Sequence, residues 1–200
     1  MSFKISITKW GMAVVIGWLT VVPVLAIEQG EDANGRIPPE NAIHLKRIKG
    51  PSLASSNALF QNSINLKPGG DYIVSFWARA TDTFKMNVST KLCVAPWAFF
   101  GLRSEVQLTP SWRRYSLPFK ADGAIPEHSR LTFEYAAVAE VWIADVQIRT
   151  SGGSDNQAEH AIANARFIDD LEQWYVDGMK KGAYEATVEP MSASTAEASK

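Results

Sequence analysis

Apolar and polar side chains alternate through the middle of this chain, and a period of two predicts strands rather than helices. Between Asp71 and Ala80 the residues Tyr72, Val74, Phe76, Ala78 and Ala80 share one face. Asp71, Ser75, Trp77 and Arg79 share the other, with Ile73 the one aliphatic residue among them. Pro68, Gly69 and Gly70 set the turn before this strand, since proline presets φ and glycine accepts φ > 0. From Phe84 to Val94 the alternation is clearer still, with Phe84, Met86, Val88, Thr90, Leu92 and Val94 set against Lys85, Asn87, Ser89 and Lys91. Shorter stretches of the same kind run over 41–49, 59–66, 104–109, 112–119, 130–136 and 139–149, the second placing Phe60, Ile64 and Leu66 together as its apolar residues. About eight strands parted by Gly, Pro, Asn and Ser turns, with no long helical pattern between them, predict an all-β fold, a two-sheet antiparallel sandwich.

The ends of the chain have a different texture. Lys4 and Lys9 precede an apolar run from Trp10 to Leu25, and Val24-Leu25-Ala26 offers the small residue that signal peptidase needs, so residues 1–26 are expected to be a cleaved signal peptide. The competing expectation, a retained anchor, asks for a longer uninterrupted run than one holding Pro23. Residues 27–40, with Pro38-Pro39, read as a flexible lead-in, and 150–156 as a linker. The Ser/Ala/Thr/Glu tail, 191–200, reads as disordered. Export implies a secreted or periplasmic protein with no stable membrane association after cleavage.

Cleavage removes two of the 20 basic side chains and none of the 21 acidic ones, which leaves a net charge of −3. No basic run stands out, which argues against nucleic acid or an anionic membrane surface as partner. Cys93 is the single cysteine and closes no disulfide within the chain, so the core holds by packing. His44, His128 and His160 lack metalloprotease spacing, and no Gly-x-Ser-x-Gly elbow, phosphate-binding loop or Cys-x-x-Cys is present. Glu105, Glu134 and Asp145 are the acids from which a glycosidase pair would have to be drawn, and ordinary strand-surface acids explain them more simply. The chain reads as a binder that requires no cofactor.

The strand Tyr72-Ile73-Val74-Ser75-Phe76-Trp77-Ala78-Arg79-Ala80 after its Pro-Gly turn resembles the middle of the cellulose- and xylan-binding modules of families 4, 9, 16 and 22. Leu108–Ser116, Arg130–Tyr135 and Glu140–Ile148 resemble three later strands of those modules in the expected order, so the likeness spans 41–149. It implies a jelly-roll sandwich of the galactose-binding-like kind, and a groove on the outer face of one curved sheet. Sugar rings offer apolar C–H faces to aromatics and hydroxyl edges to amides, carboxylates and guanidinium groups. Trp77, Arg79, Asn87 and Gln107 are the expected groove residues. Trp97, Phe99 and Phe100, three aromatics in four residues of an expected loop over 95–103, form a rim in this reading. The competing reading buries Trp77 under a neighbouring loop and tucks Trp97 and one Phe over an open end of the sandwich.

The resemblance implies a β-glucan or xylan-like polysaccharide as ligand, and a glycan-degrading enzyme as a working partner. A structural or protein-interaction sandwich of the cell envelope is the alternative. Relatives of this kind hold a structural calcium beside an Asp-Asp pair on the closing strand. Asp145 matches the second acid, but Ala144 stands in place of the first, so a weak calcium site or none is expected. The usual opening motif, N-x-x-F-E-x-x-L-x-x-W, is absent near the start, yet Asn164 to Trp174 keeps its spacing with Ile168 where the acid belongs. Residues 157–190 are therefore a first strand permuted to the end, a second module cut short, or an amphipathic helix that carries Phe167, Leu171 and Trp174 and stops at Gly178.

Overall fold

The computed structural model describes residues 40–47, 59–137, 139–152, 162–177 and 184–190. The expected leader, the lead-in before residue 40, residues 153–156 of the linker and the tail lie outside these. Among the described residues run nine strands: β1 (Asn41–Arg47), β2 (Leu59–Ile64), β3 (Asp71–Ala80), β4 (Phe84–Leu92), β5 (Phe99–Leu108), β6 (Arg113–Lys120), β7 (Ser129–Tyr135), β8 (Glu140–Thr150) and β9 (Tyr184–Pro190). No helix occurs among the described residues.

The strands form a five-stranded sheet, order β6-β3-β8-β1-β9, and a four-stranded sheet, order β2-β7-β4-β5, with every pairing antiparallel. From β1 to β8 every connection but the β4–β5 hairpin crosses from one sheet to the other, as a jelly roll requires. The inner faces are the apolar sets that alternation marks out: Tyr72, Val74, Phe76, Ala78 and Ala80 from β3, and Met86, Val88 and Leu92 from β4. They meet Leu102, Val106 and Leu108 of β5, Tyr115 and Leu117 of β6, and Leu131, Phe133 and Tyr135 of β7. Phe76 sits at the centre, stacked on Tyr115 at 5.2 Å and edge-on to Phe133 at 5.1 Å, an arrangement that satisfies both ring quadrupoles.

Two bulges change which face a side chain reaches. In β8 the extra residue lies between the pairings Trp77–Ala144 and Ser75–Gln147, where Asp145 has φ 46°. Before it Val141 and Ile143 point inward, and after it Val146 and Ile148 do. In β2 the register slips between Gln61 and Ile64 around Ser63, φ 58°, so Leu59 and Ile64 are both core while Phe60 faces out. The sequence expectation that groups Phe60 with Ile64 is corrected by that slip.

Residues 162–177 form a succession of turns that closes one side of the sandwich. Phe167 and Trp174 enter the core with rings 5.3 Å apart, held by Val146 N–H donating to Ala165 O and by the Trp174 indole donating to Asn164 O. Gln61 ties the segment down at Ala163, its amide donating to the carbonyl and accepting from the N–H. Tyr175 then exchanges two backbone hydrogen bonds with Phe60, both 2.9 Å, and partly covers the edge of β2. No helix forms over the described part of this segment, and its last piece, β9, pairs with β1.

Candidate functional site

Each sheet presents one outer face. On the five-stranded sheet the register aligns Thr187, His44, Trp142 and Arg79 in one row across β9, β1, β8 and β3. Their side chains close on one another. His44 stacks on Trp142 at 4.3 Å, and the Arg79 guanidinium lies 4.1 Å from the same indole and 5.6 Å from that of Trp112. Glu189 accepts from the Trp142 indole and sits 2.7 Å from His44 Nδ1, while Glu140 sits 2.9 Å from Nε2. Trp77 lies in the adjoining row, among Ala42, Ala144, Trp112 and Trp142, and keeps only 4% of its surface exposed. Burial lowers the Arg79 pKa against the opposing pull of Glu189.

This arrangement corrects the expectation for Trp77 and Arg79. Alternation places both on an outer face, as expected, but the small side chains Ala42 and Ala144 make room for the indole and two further tryptophans close over the pair. The indole serves a second, smaller apolar cluster instead of offering a stacking surface.

The four-stranded sheet is different. Its central row reads Phe60, Thr132, Ser89 and Arg103 across β2, β7, β4 and β5. The next row sets Arg130 of β7 opposite Lys91 of β4, and Lys91 opposite Phe99 of β5. On the other side Glu134, Asn87 and Glu105 align, followed by Lys85 and Gln107. Aromatic rings stand at both margins. Tyr175 stacks on Phe60 at 5.5 Å, and Phe99 is 49% exposed beneath the Arg103 guanidinium, 4.9 Å away. Three strand spacings separate the margins, roughly 14 Å.

Between the margins the floor is polar. The hydroxyls of Ser89 and Thr132, paired across β4 and β7, are buried with no hydrogen-bond partner among the described residues. A buried hydroxyl left unpaired costs about 1–3 kcal/mol, so a native structure that keeps two side by side invites a functional explanation. Arg130 donates from Nε to Asn62 Oδ1 at 2.6 Å and lies 4.3 Å over the Phe60 ring. Burial lowers the pKa of both Lys91 and Arg130. Arg130's charge adds to the shift at Lys91, and Glu134, 3.6 Å from Lys91 Nζ, opposes it.

The expected site residues thus part company. Asn87, Gln107 and Phe99 share the four-stranded face, with Trp97, 56% exposed, on the turn beside Phe99. Trp77 and Arg79 lie on the opposite sheet. Phe100 points inward into the core, because residues 99–103 open β5 and alternation sends neighbours to opposite faces, where a loop was expected. Sequence reasoning missed Phe60, Ser89, Lys91, Arg103, Arg130, Thr132 and Tyr175. The alternation of β4 already carries Ser89 and Lys91 on the face of Asn87, which was the available signal.

Asp145 does not fit the calcium that the resemblance raised. Its carboxylate accepts from Gln147 Nε2 at 2.6 Å and faces Arg166 Nε at 4.0 Å, so a donor and a cation already face it. Among the described residues no group of three His, Cys, Asp or Glu side chains is placed to hold a metal ion.

No family model and no curated protein matches the chain. Solved structures do. The carbohydrate-binding module of PbXyn10C in its apo form is 16% identical with a TM-score of 0.58, over 76% of this chain and 88% of that one. A CBM4 structure is 22% identical with a TM-score of 0.49, over 55% and 71%. The N-terminal cellulose-binding domain of Cellulomonas fimi β-1,4-glucanase C is 16% identical with a TM-score of 0.41, over 56% and 90%. The first of these shows that the sandwich has the fold of a carbohydrate-binding module.

Proposed function

We propose that the outer face of the four-stranded sheet is a non-catalytic carbohydrate-binding surface for a β-glucan or xylan-like polysaccharide. The observation that carries the proposal is the pair of exposed ring margins, Tyr175 stacked on Phe60 at one edge and Phe99 at the other, with Asn87 and Gln107 on the same face. A sugar chain laid across this face stacks C–H faces on the marginal rings and brings its hydroxyls to Asn87 and Gln107, whose amides supply donors and acceptors. The likeness in fold to a carbohydrate-binding module supports the same reading. No bond needs to break, since retention alone concentrates a glycan-degrading partner on its polymer. The leader-like residues 1–26 fit a setting outside the cytoplasm, secreted or periplasmic, where such polymers are met.

Affinity gel electrophoresis over a panel of soluble β-glucans and xylans tests this. The wild type is expected to be retarded by at least one polymer, and Tyr175→Ala to lose about tenfold or more in apparent affinity, the scale of a base- or sugar-stacking aromatic worth 1–3 kcal/mol. Tyr175 is 51% exposed, so its loss should leave the melting temperature nearly unchanged. Free migration through every glycan would contradict the proposal and favour an envelope sandwich that docks protein.

A further inference from the structure

The charges on the four-stranded face narrow the class of sugar, an inference that rests on the carbohydrate-binding reading above. The face bears Lys85, Lys91, Arg103 and Arg130 against Glu105 and Glu134. Lys85 and Glu105 neutralise each other at 2.6 Å, out toward one end. At the centre Lys91 and Glu134 are 3.6 Å apart, which leaves two arginines against the single acid Asp177, whose charge acts on Lys91 and Arg130. The excess stands on a chain whose overall charge is −1, so it is local to this face.

Its placement carries a cost that Glu134 and Asp177 offset only in part. Lys91 and Arg130 are directly opposed across β4 and β7, and like charges in that position repel. Both are half-buried, and burial weakens the charged state of Lys91 against the pull of Glu134, with Arg130 adding to the loss. Both also adjoin the unpartnered hydroxyls: Ser89 is two residues before Lys91 and Thr132 two residues after Arg130, on the same face. Arg103 completes the row that holds those hydroxyls. Two cations on adjacent strands can both donate toward one region, and a planar carboxylate has acceptor sites for both.

We propose that this face selects an acidic polysaccharide, one bearing uronic acid carboxylates, with Lys91, Arg130 and Arg103 as the specificity-determining cations. The neutral backbone of the polymer is held by the rings, and the carboxylate of a uronate residue settles between Lys91 and Arg130, relieving their repulsion.

Titration calorimetry against glucuronoxylan, and against the same polymer after chemical reduction of its carboxyl groups, tests the inference. The wild type is expected to bind the carboxylated polymer about tenfold or more tightly, as befits charge-assisted hydrogen bonds. Added salt should shrink the difference. Lys91→Met and Arg103→Gln are each expected to bring the ratio of the two affinities toward one. Arg103 is exposed, so its variant should fold even where the Lys91 variant melts early. Equal affinity for both polymers, or binding of a neutral β-glucan alone, would overturn the inference and leave carbohydrate binding standing. Dextran sulfate or single-stranded DNA held as tightly as glucuronoxylan would overturn it in favour of general anion binding. Failure to bind any polysaccharide would remove both readings together.

Discussion

Trp77 and Tyr175 show how differently two large aromatics can serve one sandwich. Trp77 rests on Ala42 and Ala144, hemmed in by Trp112 and Trp142, and its removal leaves a cavity on the outer face of β3. Trp77→Ala is therefore expected to cost about 3–5 kcal/mol in chemical denaturation, the range for a large buried aromatic. Tyr175 is an exposed ring whose loss is expected to act on ligand retention instead. A Trp77→Ala protein that melts like the wild type would contradict the placement of the indole. Glu189 offers a second residue-level test. Burial raises its pKa, but hydrogen bonds from His44, Trp142 and Thr187 outweigh that and set the carboxyl below its ordinary value. A depressed carboxylate contributes stability above its unfolded value, near pH 4.3, and loses the contribution as pH falls through the folded value. The wild type should accordingly exceed Glu189→Gln in stability at pH 6 by about 0.5 kcal/mol, a solvent-screened figure, and the gap should close below about pH 4. Parallel pH profiles for the two proteins would count against the assignment.

At the scale of elements, β3 and β4 were legible because each alternates without interruption, and their inner faces are core where the pattern says so. The strand β2 was read onto the wrong face at Phe60, since a one-residue slip at Ser63 exchanges faces and leaves no mark that a period of two can detect. The strand β9 went unread although Tyr184, Ala186 and Val188 alternate with Glu185, Thr187 and Glu189, because the helix and the displaced motif drew the reading of this segment to residues before it. Trp77 was assigned to the right side of β3 and the wrong exposure. What covers it comes from β8, β1 and the turn just before β6, neighbours that only the sheet order supplies. The same is true of the candidate site, where Asn87, Gln107 and Phe99 belong together and the hydroxyl floor arises only from the β4–β7 register.

The pairing of β9 with β1 carries an element-scale prediction. Asn41 lies opposite Pro190 in the register, so the end of β9 and the start of β1 meet as the two arms of a hairpin would. We expect a rearranged chain that begins at residue 162 and joins residue 190 to residue 41 through a short Asn-Gly turn to fold with a melting temperature close to that of the parent. Such a chain would place the Asn164–Trp174 motif ahead of the sandwich, in keeping with the permuted-strand reading of that segment. Collapse of the rearranged protein into an aggregating or molten state would argue that β9 is a late addition to the sheet's edge.

For the molecule as a whole, the two outer faces of one sandwich are put to opposite uses. The five-stranded sheet spends its aromatics on itself, in the His44–Trp142–Arg79–Trp112 stack, while the four-stranded sheet keeps rings at its margins and unpartnered hydroxyls between them. That division is the central claim, and nuclear magnetic resonance reads both faces in one experiment. In a titration of the nitrogen-15-labelled protein with xylo- or cello-oligosaccharides, the account predicts shifts at the backbone amides of Phe60, Ser89, Lys91, Arg103 and Thr132, while the indole N–H signals of Trp77, Trp112 and Trp142 stay in place. Shifts concentrated on those three indoles, with the amides of β4 and β7 unmoved, would contradict it.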